Sequence, residues 1–455
     1  MKIFFVARWE KLMREFVYRG KKIKRVGFFG FGRSNLGVRE YLDREFSGLE
    51  YVLRDDKPSE ALGFGRTLCG AEAYAEPYED VIFISPGVRR DRPGLARMAK
   101  RGVLLSSDAE LFAECADVPI FAVSGSDGKS TTVTLAAGML GVAAIGNIGV
   151  AMSPFIGADV GRAVAELSSF QLTWWEQSVY RAVVTNISPN HLDWHGSYEE
   201  YIAAKENLLR SAEERVFNLD CEVSRGMLGR YRADIVYSRR MSAKEMINAA
   251  DADVYINIAG DHIEANGVKI LHTGAIQLKN EHNLSNILCA ISLTYGHAET
   301  SDIERVASEF QGLSHRCEEV GKWRGVRYID SSIDSTPRRT ATTLSSLSGE
   351  WIVILGGRSK GLDYRELAKP LRARARLAVL TGESGKEIEE ALFGSGVEYI
   401  YEADFDRAVT LAGLVARPGE GVILSPASTS FDRFSSFEER GNYFKKIIRN
   451  LHNED

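Results

Sequence analysis

Short apolar segments alternate with helical patterns along nearly the whole chain, and this alternation limits the possible folds more than any other feature of the sequence. The apolar segments are residues 25–29, 81–84, 120–123, 182–184, 351–355 and 422–424. A strand that returns to its sheet through a helix lies parallel to the strand before it. The alternation therefore predicts α/β domains built on largely parallel sheets.

The pattern restarts at Ile120 and again near Val326, and domain borders are expected shortly before each restart. A chain of 455 residues is too long for one hydrophobic core. The sequence therefore predicts three domains, at residues 1–116, 117–314 and 315–455. Between residues 249 and 277, two segments alternate like half-solvated strands around an Asn-Gly hairpin turn, which predicts a small antiparallel insertion in the middle domain.

The charge balance and the cysteines narrow the class of protein. With 57 Lys and Arg against 62 Asp and Glu, the net charge of −5 gives no general attraction to nucleic acid or to an anionic membrane. The five cysteines are scattered without Cys-x-x-Cys pairs, which argues against a disulfide framework or a zinc cluster. Charged residues interrupt the apolar N-terminal residues, and no apolar run reaches the roughly 18 residues of a membrane span. We therefore expect a cytoplasmic protein.

A glycine-rich segment between a buried strand and a helix carries the strongest local signal. Its glycines let backbone N–H groups approach an anion, the helix N-terminus adds its dipole, the lysine adds a positive charge, and a hydroxyl can bind magnesium. Val123 stands where the common Walker pattern has its first glycine. A purely structural strand-to-helix turn is the alternative. The expected phosphate-binding residues are Gly125, Ser126, Asp127, Gly128, Lys129, Ser130 and Thr131.

An earlier loop, at residues 30–37, also follows a strand and opens a helix, so it is a second candidate for binding a pyrophosphate. A dinucleotide site would place an acidic residue about 20 positions further on, and Asp55 and Asp56 are the candidates. A tight turn that binds no ligand is the competing interpretation. The Ser-Pro-Gly loop at residues 85–87 is equally ambiguous.

Polar residues follow two strands of the middle domain. Glu166 ends an apolar strand, on the sheet edge where α/β folds usually hold magnesium. His191 and His195 lie in a loop after the next strand, where a ligand role competes with simple solvation. Lys205 falls on the following helix, where a lysine is ordinarily a surface charge.

Seven short motifs, taken in order, resemble the Mur ligase family over all three predicted domains. Ser-Ser-Phe-Gln-Leu and the C-terminal Ser-Pro-Ala-Ser are most similar to the member of that family that adds D-glutamate. The resemblance implies Rossmann-like first and third domains and a P-loop-type ATPase domain between them. The motifs occupy residues 125–131, 166–172, 190–196, 281–283, 312–318, 356–361 and 425–432.

The resemblance implies an ATP-dependent ligase of peptidoglycan assembly. ATP would phosphorylate the alanine carboxylate of UDP-N-acetylmuramoyl-L-alanine, and the amine of D-glutamate would attack the resulting acyl phosphate. Magnesium and cationic side chains would offset the repulsion between the anions. The oligomeric state stays open, with a monomer expected. A catalytically silent module of the same fold, binding a UDP-sugar or a nucleotide, is the alternative.

The same resemblance implies roles for individual residues. The catalytic residues would be Lys129, Glu166, His191 and Lys205, and Lys205 would be carbamylated. The magnesium ligands would be Ser130, Glu166, His191 and Lys205, and ATP would contact residues 125–131, Asn283, Arg316 and Asp330. The UDP-substrate would contact Ser34, Asp55, Asn147, Ser168 and Gln171. D-Glutamate would contact Lys360, Ser430 and Phe437.

One motif departs from the family pattern. Residues 330–336 read Asp-Ser-Ser-Ile-Asp-Ser-Thr where the family usually has Asn-Asp-Ser-Lys-Ala-Thr-Asn. The usual ribose-binding Asp is replaced by Ser331, so the adjacent Asp330 is expected to contact the ribose. The usual Lys is replaced by Ile333. Arg338 and Arg339 are the candidates to compensate for it, and ordinary solvated arginines are the alternative.

Overall fold

A computed structural model describes residues 15–57, 63–359 and 361–452. The chain divides into two compact units, Met1–Phe310 and Gln311–Asp455. The described residues of the first unit form a two-stranded hairpin, a five-stranded sheet and a nine-stranded sheet, and those of the second unit form a six-stranded sheet. The predicted α/β class is confirmed. The domain borders at residues 116/117 and 314/315 stay predictions.

The five-stranded sheet lies nearest the N-terminus and is parallel throughout. A hairpin precedes it, formed by β1 (Phe16–Tyr18) and β2 (Lys21–Ile23). The elements that follow are β3 (Arg25–Phe29), α1 (Arg33–Glu45), β4 (Glu50–Asp55), β5 (Arg66–Cys69), β6 (Val81–Ile84), α2 (Pro93–Lys100), β7 (Leu104–Ser106) and α3 (Asp108–Cys115). The strand order is β5-β4-β3-β6-β7, so the loops after β3 and β6 lie side by side.

The nine-stranded sheet holds the glycine-rich segment. Its first elements are β8 (Ile120–Ser124), α4 (Lys129–Leu140), β9 (Ala144–Gly146), β10 (Ala163–Glu166), α5 (Ser169–Leu172), β11 (Val179–Val184), α6 (Leu192–His195), α7 (Tyr198–Arg210) and β12 (Ala212–Asn218). It continues with α8 (Glu222–Arg225), β13 (Ile235–Ser238), α9 (Ala243–Ala249), β14 (Val254–Ala259), β15 (His262–Ala265), β16 (Val268–His272), α10 (Glu281–Thr294) and α11 (Thr300–Glu309). The order is β16-β15-β14-β13-β12-β11-β8-β10-β9. Because β10 and β11 flank β8 in parallel, the loops after these three strands meet at one edge.

The predicted antiparallel segment is present, and it continues the large sheet. β14 pairs in parallel with β13, and β15 and β16 then add in antiparallel order. Asn266 and Gly267 form the turn with φ values of 49° and 80°, as an Asn-Gly hairpin turn requires. The segment lies at the far end of the strand order from β8, away from the glycine-rich loop.

The second unit is a smaller α/β fold with core residues on both faces of its sheet. Its elements are β17 (Glu318–Trp323), β18 (Val326–Asp330), α12 (Pro337–Ser346), β19 (Trp351–Gly356), α13 (Ala368–Arg374), β20 (Ala375–Thr381), α14 (Gly385–Leu392), β21 (Tyr399–Tyr401), α15 (Phe405–Val415), β22 (Gly421–Leu424) and α16 (Phe437–His452). The order is β17-β18-β22-β19-β20-β21, and only the β17–β18 pairing of these strands is antiparallel. In β19, Ile352 and Ile354 join one core cluster while Val353 and Leu355 join the other, because successive side chains point to opposite faces.

Several helices begin at polar residues that bond their first backbone N–H groups. Ser197 accepts from the N–H of Glu200 at the start of α7, and Ser242 and Glu245 form a reciprocal capping box at α9. Short 3₁₀ helices lie at Gly70–Tyr74, Ser153–Phe155, Thr273–Ala275 and Arg365–Leu367. Within the described ranges, no helix is both long and apolar enough to cross a membrane.

Candidate active site

The glycine-rich loop, residues 125–128, connects β8 to α4 and can be formed only with glycines at its two ends. Gly125 and Gly128 have φ values of 145° and 78°, which other residues rarely adopt. A Cβ on Gly125 would lie 1.9 Å from the Thr185 hydroxyl oxygen, and one on Gly128 would lie 2.2 Å from Asn286 Oδ1. The loop backbone is therefore pressed against the end of β11 and against α10.

Asn186 holds the loop from the side of β11. The N–H of Asp127 donates to Asn186 Oδ1 at 3.0 Å, and Asn186 Nδ2 donates back to the Asp127 carbonyl at 3.0 Å. The Ser126 hydroxyl lies 2.8 Å from the hydroxyl of Tyr201 on α7. Sequence reasoning missed the contacts of Thr185, Asn186 and Asn286 with the loop. The sequence places Thr185 and Asn186 after an apolar strand, but it does not show which loops then lie side by side in the sheet. The contact of Asn286 depends in the same way on how α10 packs in three dimensions.

Two lysines meet at the carbonyl oxygen of Gly125. Lys129 Nζ donates to it at 2.9 Å and also to the Ser126 carbonyl, so this side chain folds back over the loop. Lys205 Nζ donates to the same oxygen at 2.8 Å from α7 on the other side. The structure thus brings together two of the predicted catalytic residues, which are 76 positions apart in the sequence.

Lys205 is a deeply buried amine. Its side chain is 1% exposed, and its nitrogen lies 4.6 Å from the centre of the Tyr201 ring. Burial lowers the pKa of Lys205 well below its usual value, and the positive charge of Lys129 adds to this effect. Residue type and helical position alone favoured a lysine on the surface, but the structure places Lys205 in the interior.

Glu166 ends β10 directly beside β8, where it pairs with Val123. The residue is 1% exposed, and its Oε1 accepts from Asn147 Nδ2 at 2.7 Å. Among the groups that the structure describes, Glu166 Oε2 has no hydrogen-bond partner. A buried carboxylate oxygen without a partner is costly, and a bound cation would offset that cost. Oxygen ligands of this kind suit magnesium, as does the hydroxyl of Ser130 in the first turn of α4.

The loop with His191 and His195 lies after β11. His191 is exposed and has a φ of 53°, which is uncommon for a residue with a side chain. His195 is 2% exposed, and its Nε2 lies 3.0 Å from the Ser169 hydroxyl. Burial is the main cause that lowers the pKa of His195 to about 4. The Phe170 ring lies between the two histidines, with centroid distances of 5.0 and 5.8 Å.

Ser168 and Gln171 form the capping box of α5. The Ser168 N–H and hydroxyl both donate to Gln171 Oε1, at 2.9 and 2.8 Å, and the Ser168 oxygen accepts from the Gln171 N–H. Both residues are largely buried. This pairing accounts for the Ser-x-x-Gln spacing by local structure, and the predicted contact of the two residues with the UDP-substrate stays a prediction.

Two residues predicted to contact the UDP-substrate, Ser34 and Asp55, lie at the edge of the five-stranded sheet where its strands end. Ser34 is half-buried in the first turn of α1, and Asp55 ends β4 and accepts from the N–H of Lys57. The neighbouring Asn35 is fully buried and donates to the carbonyls of Gly30 and Phe83, at 2.6 and 3.1 Å. Asn35 therefore joins the loop after β3 to the end of β6, a role that sequence reasoning missed.

Asn283 lies in the first turn of α10, where its N–H donates to the Asn280 side chain. It stands one turn before Asn286, which contacts the glycine-rich loop. This arrangement places the start of α10 beside the loop, and the predicted ATP contact of Asn283 stays a prediction.

The remaining predicted residues belong to the second unit. Asp330 ends β18, is fully buried and accepts from His315 Nδ1 at 2.7 Å and from the N–H of Ser332 at 2.9 Å. Arg316 is exposed, Ser430 is 2% exposed, and the half-buried ring of Phe437 lies 6.1 Å from His315. Arg338 and Arg339 are both exposed, and Arg339 Nη1 donates to the carbonyl of Ile333 at 3.2 Å. Lys360 lies outside the described residues.

Comparisons with known proteins point to one family. Residues 123–294 match the Mur ligase middle domain, and residues 315–428 match the Mur ligase glutamate ligase domain. The curated UDP-N-acetylmuramoylalanine–D-glutamate ligase of Ruminiclostridium cellulolyticum is 34% identical, and that of Acetivibrio thermocellus is 35% identical. Each match covers 94% of this chain and 97% of the relative.

Two solved structures bear out the predicted three-domain α/β fold. The UDP-N-acetylmuramate–alanine ligase MurC of Thermotoga maritima has a TM-score of 0.59 at 18% identity and covers 95% of this chain and 100% of its own. A pseudomurein peptide ligase type C from Methanothermus fervidus has a TM-score of 0.51 at 14% identity, with coverages of 94% and 100%. With its two family domains, its curated relatives and this fold, the chain belongs to the Mur ligase family.

Proposed function

We propose that this protein joins D-glutamate to UDP-N-acetylmuramoyl-L-alanine in an ATP-dependent reaction of peptidoglycan synthesis in the cytoplasm. The similarity to curated D-glutamate ligases over 94% of the chain supports the choice of substrates. The observation that carries the proposal is the meeting of Lys129 and Lys205 at the Gly125 carbonyl, within the loop that follows β8.

The glycine-rich loop binds the phosphates of ATP. The conformations of Gly125 and Gly128 and the start of α4 support this role, because such a loop turns backbone N–H groups toward an anion. Lys129 offsets the negative charge of the outer phosphates. The further proposed ATP contacts are Ser126, Asp127, Ser130, Thr131, Asn283, Arg316 and Asp330.

Magnesium fits the acidic and hydroxyl groups around this loop. Ser130 and Glu166 would hold one ion, and the unpartnered Oε2 of Glu166 supports that assignment. His191 and a carbamylated Lys205 would hold a second ion. When bound, magnesium offsets the charge that develops on the transferring phosphoryl group.

The reaction proceeds in two bond-forming steps. The alanine carboxylate attacks the γ-phosphorus of ATP, so that an acyl phosphate forms and ADP leaves. The neutral amine of D-glutamate then attacks the acyl carbon, and the tetrahedral intermediate expels inorganic phosphate and gives the amide after loss of a proton from nitrogen. The protein accelerates these steps by holding the anions close together and offsetting their charges.

Lys205 is proposed to carry a carbamate. The neutral amine adds to CO₂ and loses a proton, so a strongly lowered pKa favours the reactive form. Wild-type protein equilibrated with ¹³C-bicarbonate should show a carbamate carbon by NMR, and Lys205→Ala should lack it. Lys205→Ala should also be inactive and should regain partial activity with short carboxylic acids. A wild-type spectrum without the signal would contradict the modification.

The two other substrates are proposed to contact separate sets of residues. The proposed contacts of the UDP-substrate are Ser34, Asp55, Asn147, Ser168 and Gln171. The proposed contacts of D-glutamate are Lys360, Ser430 and Phe437. The contact of Arg339 with the Ile333 carbonyl supports Arg339 over Arg338 as the cation that compensates for the lysine absent at this position.

An assay of phosphate release tests the proposed function. The wild-type protein should release phosphate from ATP only when UDP-N-acetylmuramoyl-L-alanine and D-glutamate are both present. A catalytically silent binding module would release none under any combination. Replacing D-glutamate by L-alanine or a diamino acid should abolish release, and turnover with one of those instead would assign the chain to another reaction of the family.

A further inference from the structure

A single tryptophan, Trp194, connects the loop after β6 to the turn that contains His191. Arg89 Nη1 donates to the carbonyl oxygen of Trp194 at 2.5 Å. The indole N–H of Trp194 donates in the opposite direction, to the carbonyl of Gly87 at 3.1 Å. The Arg89 guanidinium also lies 5.1 Å from the centre of the Trp194 ring. We call these three contacts, between Arg89, Gly87 and Trp194, the Trp194 clamp.

Arg89 is itself held in the orientation that the clamp needs. Asp91 accepts from Arg89 Nε at 3.0 Å and from Nη2 at 2.6 Å, which leaves Nη1 directed at Trp194. Such a two-point pair fixes the plane of the guanidinium, which a lysine could not reproduce. The pair is solvent-accessible, with exposed fractions of 33% and 52%, so its loss is expected to affect global stability little.

The clamped tryptophan fixes the backbone around His191. The N–H groups of Trp194 and His195 both donate to the His191 carbonyl, at 3.1 and 3.0 Å, and form the single turn of α6. His191 begins this turn with a φ of 53°, a conformation that persists only where its surroundings impose it. The Trp194 ring also packs against Phe170 at 4.6 Å, and Phe170 contacts the His191 ring.

We propose that Arg89 is a positioning residue that acts through Trp194 to hold His191 in the orientation that binds a metal ion. This inference rests on the proposed function, because it takes His191 as a magnesium ligand. Outer groups that orient a ligand typically change metal affinity by about 10- to 100-fold when they are removed. Because Arg89 acts through one intervening residue, we expect an effect near the lower end, about tenfold.

Metal binding measured without turnover tests the proposal. Mn²⁺, which accepts similar oxygen and nitrogen ligands, is titrated into the full-length protein with ADP present, and free Mn²⁺ is followed by electron paramagnetic resonance. Arg89→Ala should weaken about tenfold the Mn²⁺ site that His191→Ala removes, with an unchanged melting temperature. Arg89→Lys should give an intermediate loss, since lysine cannot contact Asp91 and the Trp194 carbonyl together.

Two further variants make the test specific. Arg92→Ala removes a similarly exposed arginine–carboxylate pair, with Asp56, from the same region of the chain, and it should leave Mn²⁺ affinity unchanged. Arg89→Ala combined with His191→Ala should bind Mn²⁺ no more weakly than His191→Ala alone, because the clamp acts through that histidine.

Several outcomes would overturn the inference. Unchanged Mn²⁺ affinity in Arg89→Ala, or a further loss in the double variant, would show that the clamp does not act on a His191 metal site. A rise in the KM of the UDP-substrate alone, with Mn²⁺ affinity intact, would make Arg89 a substrate contact instead. Because Mn²⁺ binding needs no turnover, absence of phosphate release by the wild type would count against the proposed function and not against the clamp.

Discussion

Glu166 combines almost complete burial with a carboxylate oxygen that accepts no hydrogen bond from any described group. A solitary charge in this position would be costly, and such groups occur at functional sites where a ligand completes them. Its other oxygen is fixed by Asn147, so the free oxygen has a defined direction at the end of β10. This residue therefore supports a cation site more directly than any other residue in the loop region.

Glu166→Gln should lower the rate of phosphate release at least about 100-fold, because the neutral amide would not offset the charge of the proposed metal ion. The side chain keeps its size, so the melting temperature should change little. Glu176→Gln, at an exposed position in the connection between α5 and β11, is the matched control and should retain full activity. A Glu166→Gln protein with more than about a tenth of wild-type activity would remove Glu166 from the metal site.

His195 should make the stability of the protein depend on pH. Burial lowers its pKa from 6.5 to about 4 in the folded state. Between these values the unfolded chain binds a proton that the folded protein does not, so the free energy of unfolding falls as pH falls from about 6.5 to about 4. Chemical denaturation at a series of pH values should show this slope, and His195→Gln should reduce it. An equal slope in both proteins would contradict the burial of a neutral His195.

Most residues of this candidate site could be predicted from residue types at the ends of strands. The others depend on contacts between segments that are far apart in the sequence. Glu166 and Lys129 were predicted from their places after apolar strands, which depend on local sequence alone. The burial of Lys205 could not be predicted from its own helix, since it results from packing of α7 against the loop after β8. Asn186 was missed because it bonds backbone atoms of Asp127, 59 positions away.

At the scale of elements, the glycine-rich loop shows how close packing and backbone conformation act together. Gly128 has a left-handed conformation and lies against Asn286 on α10, so both features exclude a side chain. Gly141, at the other end of the same helix, has a similar φ of 67°, but no described atom lies within 4 Å of a Cβ placed there. A side chain at Gly141 would therefore cause backbone strain alone, whereas one at Gly128 would cause backbone strain and a clash with Asn286.

Gly128→Ala should raise the KM for ATP at least about tenfold, because the new methyl group displaces Asn286 or the loop that we propose binds the phosphates. Gly141→Ala imposes comparable backbone strain, roughly 1–2 kcal/mol, and should leave the KM for ATP unchanged. Steady-state kinetics and thermal unfolding of both variants provide the comparison. A similar rise in KM for both would show that strain in α4, and not the contact with Asn286, governs the binding of ATP.

The elements themselves followed closely from the sequence pattern. The apolar segments at residues 25–29 and 81–84 coincide with β3 and β6, because both faces of a parallel sheet are covered and its strands are therefore largely apolar. The segment near residues 254–265 was expected as an antiparallel insertion in the middle domain; its antiparallel pairing is confirmed, and its place at the end of the large sheet was not predicted. Alternating polarity predicts a strand with one solvated face, but it carries no information on which strand it joins.

For the whole molecule, the proposed reaction couples ATP cleavage to amide formation through an acyl phosphate. Fold similarity to ligases such as MurC does not establish this route, because one fold serves many reactions. The glycine-rich loop, Lys129 and Glu166 support phosphoryl transfer, and the curated relatives support D-glutamate as the amine. One carboxylate oxygen takes part in both steps of this reaction, because it bonds to phosphorus in the first and leaves with phosphate in the second.

UDP-N-acetylmuramoyl-L-alanine labelled with ¹⁸O in both carboxylate oxygens provides the most direct measurement. After turnover with ATP and D-glutamate, mass spectrometry of the released phosphate should find one ¹⁸O atom per phosphate, because one carboxylate oxygen bonds to phosphorus and leaves with it. The amide product should keep the other labelled oxygen. Phosphate without ¹⁸O, released while the amide still forms, would contradict the acyl-phosphate mechanism.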